Sequence, residues 1–202
     1  NGSGKTSLVK LLLRLNDCQE GDICYNGVSI QKIPVSQYRQ AFSTLFQDFC
    51  IYAVTMGENV AMDEQVDEKK AREAISRVEL EQMLPYMQNA LTREFADDGV
   101  SFSGGQLQRL ALSRVLYESH DILIMDEPTS AMDVRFEKQF YDMIFHQFRD
   151  KTILFVSHRL TSVVACDRIL YMENGQIVES CSHQELMEQN GGYAKLFRCN
   201  SV

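Results

Sequence analysis

The chain has 202 residues, 45% hydrophobic and 24% charged, which suits a globular domain with one large core, or one core with a smaller lobe packed against it. Its net charge of −8 argues against nucleic acid as a partner, because that role calls for a basic face, yet leaves room for a small basic pocket around a phosphate. Six cysteines without CxxC spacing argue against a zinc site or disulfide framework and read as reduced cytosolic thiols, and no apolar run approaches the roughly 20 residues that cross a bilayer.

The chain opens on Asn1-Gly2-Ser3-Gly4-Lys5-Thr6-Ser7, without a starting Met. Leu8, Leu11, Leu12 and Leu15 recur at helical spacing, so a helix is expected at once. Gly4-Lys5-Thr6 ahead of a helix is the end of a P-loop, G-x-x-x-x-G-K-[ST], and the chain reads as cut inside that motif. The chemistry explains the residue types. Glycines let backbone N–H groups turn inward around a β-phosphate, and the helix N-terminus adds partial positive charge. Lys5 is expected to reach the β- and γ-phosphates, and the Thr6 hydroxyl to ligate Mg²⁺.

Further along, Asp22 to Ile30 reads as a hairpin turning at Asn26-Gly27, a dipeptide suited to a type I′ turn. A strand is expected over 42–46. Residues 55–117 turn helical and more charged, with 67–78 the clearest helix, and form the candidate for a separate helical lobe. Strands are then expected over 121–126, 152–157, 168–172 and 176–179, with helices over 134–148, after His158, and over 183–188 and 192–197. Strands alternating with helices imply an α/β fold on a largely parallel sheet.

The strand Ile122-Leu123-Ile124-Met125 runs into Asp126-Glu127. Ligands of open α/β sheets bind beyond the carboxyl ends of strands, so Asp126 is expected to hold Mg²⁺ and Glu127 to polarise the attacking water. Phe102-Ser103-Gly104-Gly105-Gln106, ahead of another helix, looks like a second anion cradle. One nucleotide does not need two cradles in one chain.

These motifs resemble the ABC transporter ATPase family along essentially the whole chain. Asn1 to Ser7 matches the end of Walker A and Phe46-Gln47-Asp48 the Q-loop. Phe102 to Gln106 matches the signature, with Phe where Leu is usual, and Asp126-Glu127-Pro128-Thr129-Ser130 the end of Walker B. Ser130-Ala131-Met132-Asp133 matches the D-loop, with Met for the usual Leu, and His158 the switch histidine. The resemblance implies a P-loop NTPase with a RecA-like parallel-sheet core (1–54 and 118–202) and an inserted α-helical signature subdomain (55–117). It implies an ATPase powering transmembrane export, held at the cytoplasmic face of the membrane by the transporter's transmembrane domains.

By the same resemblance, ATP is bound by Asn1, Gly2, Ser3, Gly4, Lys5, Thr6, Ser7 and Gln47, with Mg²⁺ held by Thr6, Gln47 and Asp126. Glu127 and His158 are catalytic. Two nucleotide-binding domains pair head to tail, identical or not, so that Ser103, Gly104, Gly105 and Gln106 cap the partner's ATP and Asp133 communicates across the dimer. Thr55 to Val60, Arg93 to Gly99 and the stretch from Asn174 to Ala194 look like the exporter branch, where the segment before the signature touches the intracellular loops of the membrane domains. Exporters of this kind usually carry those membrane helices ahead of the cassette. A piece lacking the start of Walker A is expected to bind ATP poorly and hydrolyse it negligibly.

Two other readings compete. A soluble ABC ATPase of chromosome maintenance would place a long coiled coil between P-loop and signature, and one of translation would carry tandem cassettes. A catalytically incompetent or regulatory nucleotide-binding fragment would be expected to lack Lys5, Glu127 or His158, and this sequence has all three.

Overall fold

The computed structural model describes residues 2–91, 99–118, 120–129 and 133–200. They fall into two units, one made of residues 1–40 and 155–202, the other of residues 41–154.

In the first unit, helix α1 (Lys5–Leu12) leaves the glycine-rich turn as the leucine spacing requires. Strands β1 (Cys24–Tyr25) and β2 (Val28–Ser29) pair antiparallel around Asn26 and Gly27. Both turn residues have positive φ, 49° and 78°, as a type I′ turn demands. A five-residue helix, α2 (Val35–Arg39), follows Pro34 and is too short to show periodicity in the sequence. Its side chains serve the end of α1, whose last carbonyls have no intrahelical partners. The Tyr38 hydroxyl donates to the Leu12 carbonyl at 2.6 Å, and Arg39 Nε to the Leu13 carbonyl at 3.1 Å. From the other side, Arg14 donates to the Ile30 and Ile33 carbonyls, each at 2.7 Å.

The carboxyl-terminal part of this unit is an antiparallel hairpin, β6 (Ile169–Glu173) with β7 (Gln176–Cys181), turning at Asn174-Gly175. A one-turn helix, α7 (Leu160–Val163), precedes this hairpin, helices α8 (His183–Gln189) and α9 (Gly192–Asn200) follow it, and Leu186 and Tyr193 bury themselves against Ile169.

The second unit holds the sheet that positions Gln47, Asp126 and Glu127. Its strand order is β3 (Phe42–Leu45), β4 (Ile122–Asp126), β5 (Thr152–Val156), and β5 runs on into the first unit. Strands β3 and β4 are parallel, in register from Phe42 opposite Ile122 to Leu45 opposite Met125. The α/β expectation with a parallel-sheet core therefore holds, while β1–β2 and β6–β7 are separate antiparallel hairpins. Leu123, Ile124 and Met125 are buried, as expected of a near-continuous apolar strand inside a parallel sheet.

Residues 55–91 form helices α3 (Met56–Ala61) and α4 (Glu68–Arg77) and a 3₁₀ turn (Glu81–Tyr86) that accommodates Pro85. Helix α5 (Gly104–Tyr117) then returns to the sheet, and α6 (Val134–Gln147) lies between β4 and β5 in the chain. Four of these helices begin with a side-chain cap: Thr55, Asp67, Ser103 and Asp133 each accept from a first-turn N–H. A polar hub ties α3 to α5. Asn59, fully buried, donates to the carbonyls of Tyr52, Val54 and Thr55 and accepts from the Tyr52 N–H. Arg114 reaches the Asn59 carbonyl at 2.8 Å, its side-chain oxygen at 3.0 Å and the Cys50 carbonyl at 2.7 Å. This hub leaves the loop after β3 with fixed backbone geometry, because a buried polar group without partners is costly.

Among the described residues, no helix is long and apolar enough to cross a membrane.

Candidate functional site

Lys5, Thr6 and His158 belong to the first unit, whereas Gln47, Asp126, Glu127, the signature and Asp133 belong to the second.

In the first unit, Gly4 stands at the N-cap of α1 with φ 94°, a conformation natural only to glycine. A side chain there would also meet the Gly175 Cα at 3.2 Å. The Ser3 carbonyl accepts from the Gly175 N–H at 3.1 Å, so the turn of the β6–β7 hairpin braces this glycine-rich turn. Lys5 Nζ donates to Ser3 Oγ at 3.1 Å, and Gly2 also has positive φ, 83°. Thr6 and Ser7 are exposed on the first turn of α1. His158 is exposed just beyond β5. The turn that carries it is knotted by Ser157, whose Oγ accepts from the Arg159 N–H at 2.9 Å and lies 3.2 Å from Ser162 Oγ.

In the second unit, parallel strands β3 and β4 end side by side, Leu45 opposite Met125. Gln47 follows two residues after Leu45, and Asp126-Glu127 directly follows Met125, so amide and carboxylates leave the same edge of the sheet. Gln47 is exposed, Asp126 is 5% exposed and Glu127 is half-buried. Glu127 has φ 51°, left-handed backbone that costs a non-glycine residue on the order of 1 kcal/mol or more. The residues after it hold that shape. The Pro128 carbonyl accepts from Gln108 Nε2 at 3.0 Å, and Thr129 Oγ1 donates to Glu137 Oε1 at 3.1 Å, both bonds being buried.

The signature faces outward. Ser103 and Gly104 are exposed, Gly105 and Gln106 half-buried, and a Cβ on Gly104 would meet nothing within 4 Å. Ser103 and Gln106 close a capping box: Ser103 Oγ accepts from the Gln106 N–H at 3.3 Å, and Gln106 Oε1 from the Ser103 N–H at 2.9 Å. At the start of α6, Asp133 Oδ1 accepts from the Phe136 N–H at 2.9 Å. That bond, with the nearby Arg109 guanidinium, holds the Asp133 carboxyl below its ordinary value. Arg109 places one nitrogen 3.7 Å from Asp133 Oδ2 and its guanidinium 3.8 Å above the Phe136 ring.

In the second unit Gln47 and Asp126 offer an amide oxygen and a carboxylate, and in the first Thr6 offers a hydroxyl, each an oxygen donor of the kind hard Mg²⁺ prefers to a soft metal. Asn1, Ser130, Ala131, Met132 and residues 93–98 of the stretch before the signature lie outside the described residues. Gln108 and Arg109 are the residues to which the motifs assign no role. A signal was available, since Gln108 shares a helical stripe with the buried Ala111, Leu112 and Val115, where a polar side chain needs a partner.

A glycine turn ahead of α1, and in the other unit carboxylates leaving the end of a parallel strand, are the features of a P-loop nucleoside triphosphatase (NTPase) fold. The family described as ABC transporter matches residues 1–130, and the chain belongs to that family. The ATP-dependent lipid A-core flippase of Paraburkholderia xenovorans is 38% identical over 198 residues, covering 98% of this chain and 33% of the flippase. That of Saccharophagus degradans is 36% identical over 198 residues, covering 98% of this chain and 34% of its own length. An ABC multidrug transporter of Trichophyton rubrum is 35% identical over 204 residues, covering 100% of this chain and 16% of its own length. Among solved structures, a bacterial Atm1-family ABC exporter with ATP bound superposes with a TM-score of 0.91 at 26% identity, over 100% of this chain and 36% of that one. The chain thus spans about a third of the length of the flippases it matches.

Proposed function

We infer that this chain is the ATP-binding and ATP-hydrolysing domain of an ABC exporter. Its job is to bind Mg-ATP between two copies of such a domain and to spend the closure and hydrolysis on moving a substrate across a membrane. The observation that carries this reading is the outward-facing signature. Ser103 and Gly104 are open to a ligand from outside the chain, while the phosphate loop offers a second cradle at α1.

Gly2, Ser3, Gly4, Lys5, Thr6 and Ser7, with Asn1, would bind the phosphates, and Thr6, Gln47 and Asp126 would hold Mg²⁺, which draws charge off the γ-phosphate. Glu127 would act as general base toward the attacking water, and His158 would hold the γ-phosphate and align that water. Ser103, Gly104, Gly105 and Gln106 would cap the nucleotide of the partner domain, and Asp133 would relay its presence. Residues 55–117 form the helical subdomain in this reading, joined to a core of residues 1–54 and 118–202. Transmembrane domains would hold the assembly at the cytoplasmic face of the membrane.

In the intact transporter, Glu127→Gln should stop ATP turnover by a factor of about 10²–10⁴, the range of a general base, while ATP-bound dimers accumulate. Steady-state phosphate release and size-exclusion chromatography with ATP measure the two halves. Parental turnover in Glu127→Gln would remove Glu127 as the base.

A further inference from the structure

Glu127 is held in left-handed backbone with φ 51°, a shape that a glutamate does not choose for itself. Something must impose it, and the two residues that follow show what does. The Pro128 carbonyl receives Gln108 Nε2 at 3.0 Å, and Gln108 is only 3% exposed. The next residue, Thr129, is fastened to Glu137 of α6. The backbone just after Glu127 is therefore gripped at the Pro128 carbonyl by a side chain of α5 and, one residue on, at the Thr129 side chain by a side chain of α6. Neither grip is a surface contact that water could replace at no cost.

Gln108 lies five positions after Ser103 on the same helix. That is about one and a half turns, or about 7–8 Å of axis. Its neighbour Arg109 reaches Asp133, which lies beyond Thr129 in the chain. Consecutive residues of the signature helix thus meet the chain on both sides of residues 130–132.

We propose that Gln108 is a positioning residue for ATP hydrolysis: its buried amide fixes the Pro128 carbonyl and thereby sets where the Glu127 carboxylate stands. This rests on the reading of Glu127 as the general base. It adds a physical link, since the helix that caps the partner's nucleotide at Ser103 also holds this chain's own base. A displacement of α5 on closure of the dimer moves Gln108, and with it the carbonyl next to the carboxylate.

The test uses the intact transporter that carries this cassette. Gln108→Met keeps the length and burial of the side chain and removes the donor. Its kcat for ATP should fall about 10- to 100-fold, the scale of an ångström-size misplacement, with KM and the Kd of a fluorescent ATP analogue changed by less than about threefold. The same substitution is then made in Glu127→Gln and followed by single-turnover hydrolysis. With no carboxylate left to misplace, the residual rate should change by less than about twofold. Parental kcat in Gln108→Met overturns the proposal. So does a loss that persists undiminished in Glu127→Gln, because Gln108 would then serve only the fold. Should Gln108→Met fail to fold, Gln108→Asn, with the amide on a shorter arm, takes its place under the same two criteria. A Glu127→Gln variant with parental turnover would instead remove the base itself, an outcome distinct from an intact base with an indifferent Gln108.

Discussion

The turn Gly2-Ser3-Gly4-Lys5 and the turn Ser103-Gly104-Gly105-Gln106 look alike as sequence, each a Ser and two glycines ahead of a helix, yet their backbones differ. Gly4 enters α1 in left-handed conformation and no side chain caps that helix. Ser103 enters α5 in extended conformation, φ −69° and ψ 159°, and its hydroxyl already accepts a first-turn N–H within a capping box. The first turn depends on glycine for its shape. The second depends on serine for its helix, so any ligand that Ser103 meets has to share that hydroxyl with the cap.

Substitutions can break this contrast. The largest effect is expected from Gly4→Ala, which combines left-handed φ with a Cβ 3.2 Å from the Gly175 Cα. It should cost about 1–3 kcal/mol of stability and, by opening the loop, about tenfold or more in ATP affinity, read by thermal melting and titration calorimetry. Gly2→Ala has the strained φ but open space around its Cβ, so it should cost less. Equal losses would show that the hairpin brace is irrelevant.

A smaller effect separates the two duties of Ser103. Ser103→Ala should lower melting stability by about 1 kcal/mol through loss of the cap. Ser103→Asp restores the cap but sets a negative charge where a triphosphate would dock, so stability should return while ATPase activity stays lost. Full activity in Ser103→Asp would leave Ser103 a cap and nothing more.

The smallest effect is a matter of pH. The Asp133 carboxyl is held below its ordinary value by the Phe136 N–H and then by Arg109. A group depressed on folding contributes its stability above the unfolded pKa and loses it as pH falls through the lower folded value. The start of α6 should therefore stay capped down to about pH 4 and fray only below it, visible as exchange of the Phe136 amide. Fraying that began well above pH 4 would contradict the bond.

Much of this architecture was legible because its causes are local. Asn26-Gly27 and Asn174-Gly175 announce their turns by composition, and Asp67 and Asp133 stand as caps where helical spacing begins. The order and spacing of Lys5, Gln47, Ser103, Glu127 and His158 led to the family that residues 1–130 match. What stayed hidden has non-local causes. Helix α2 forms because Tyr38 and Arg39 find the open carbonyls of α1, 26 residues away in each case. Gln108 looks like any polar residue of an amphipathic helix until the Pro128 carbonyl, 20 residues on, is seen beside it.

The hub of Asn59 and Arg114 bears on how the domain is made rather than on how it works. Asn59 can find Tyr52, Val54 and Thr55 as soon as they leave the ribosome, since these partners lie within seven residues. Arg114 lies 55 residues later than Asn59 and 64 later than Cys50, so its bonds must await synthesis of nearly all of α5. During translation the loop after β3 is thus provisional, and closing it is a late, long-range event of the kind that slows folding and leaves nascent chains open to misassembly.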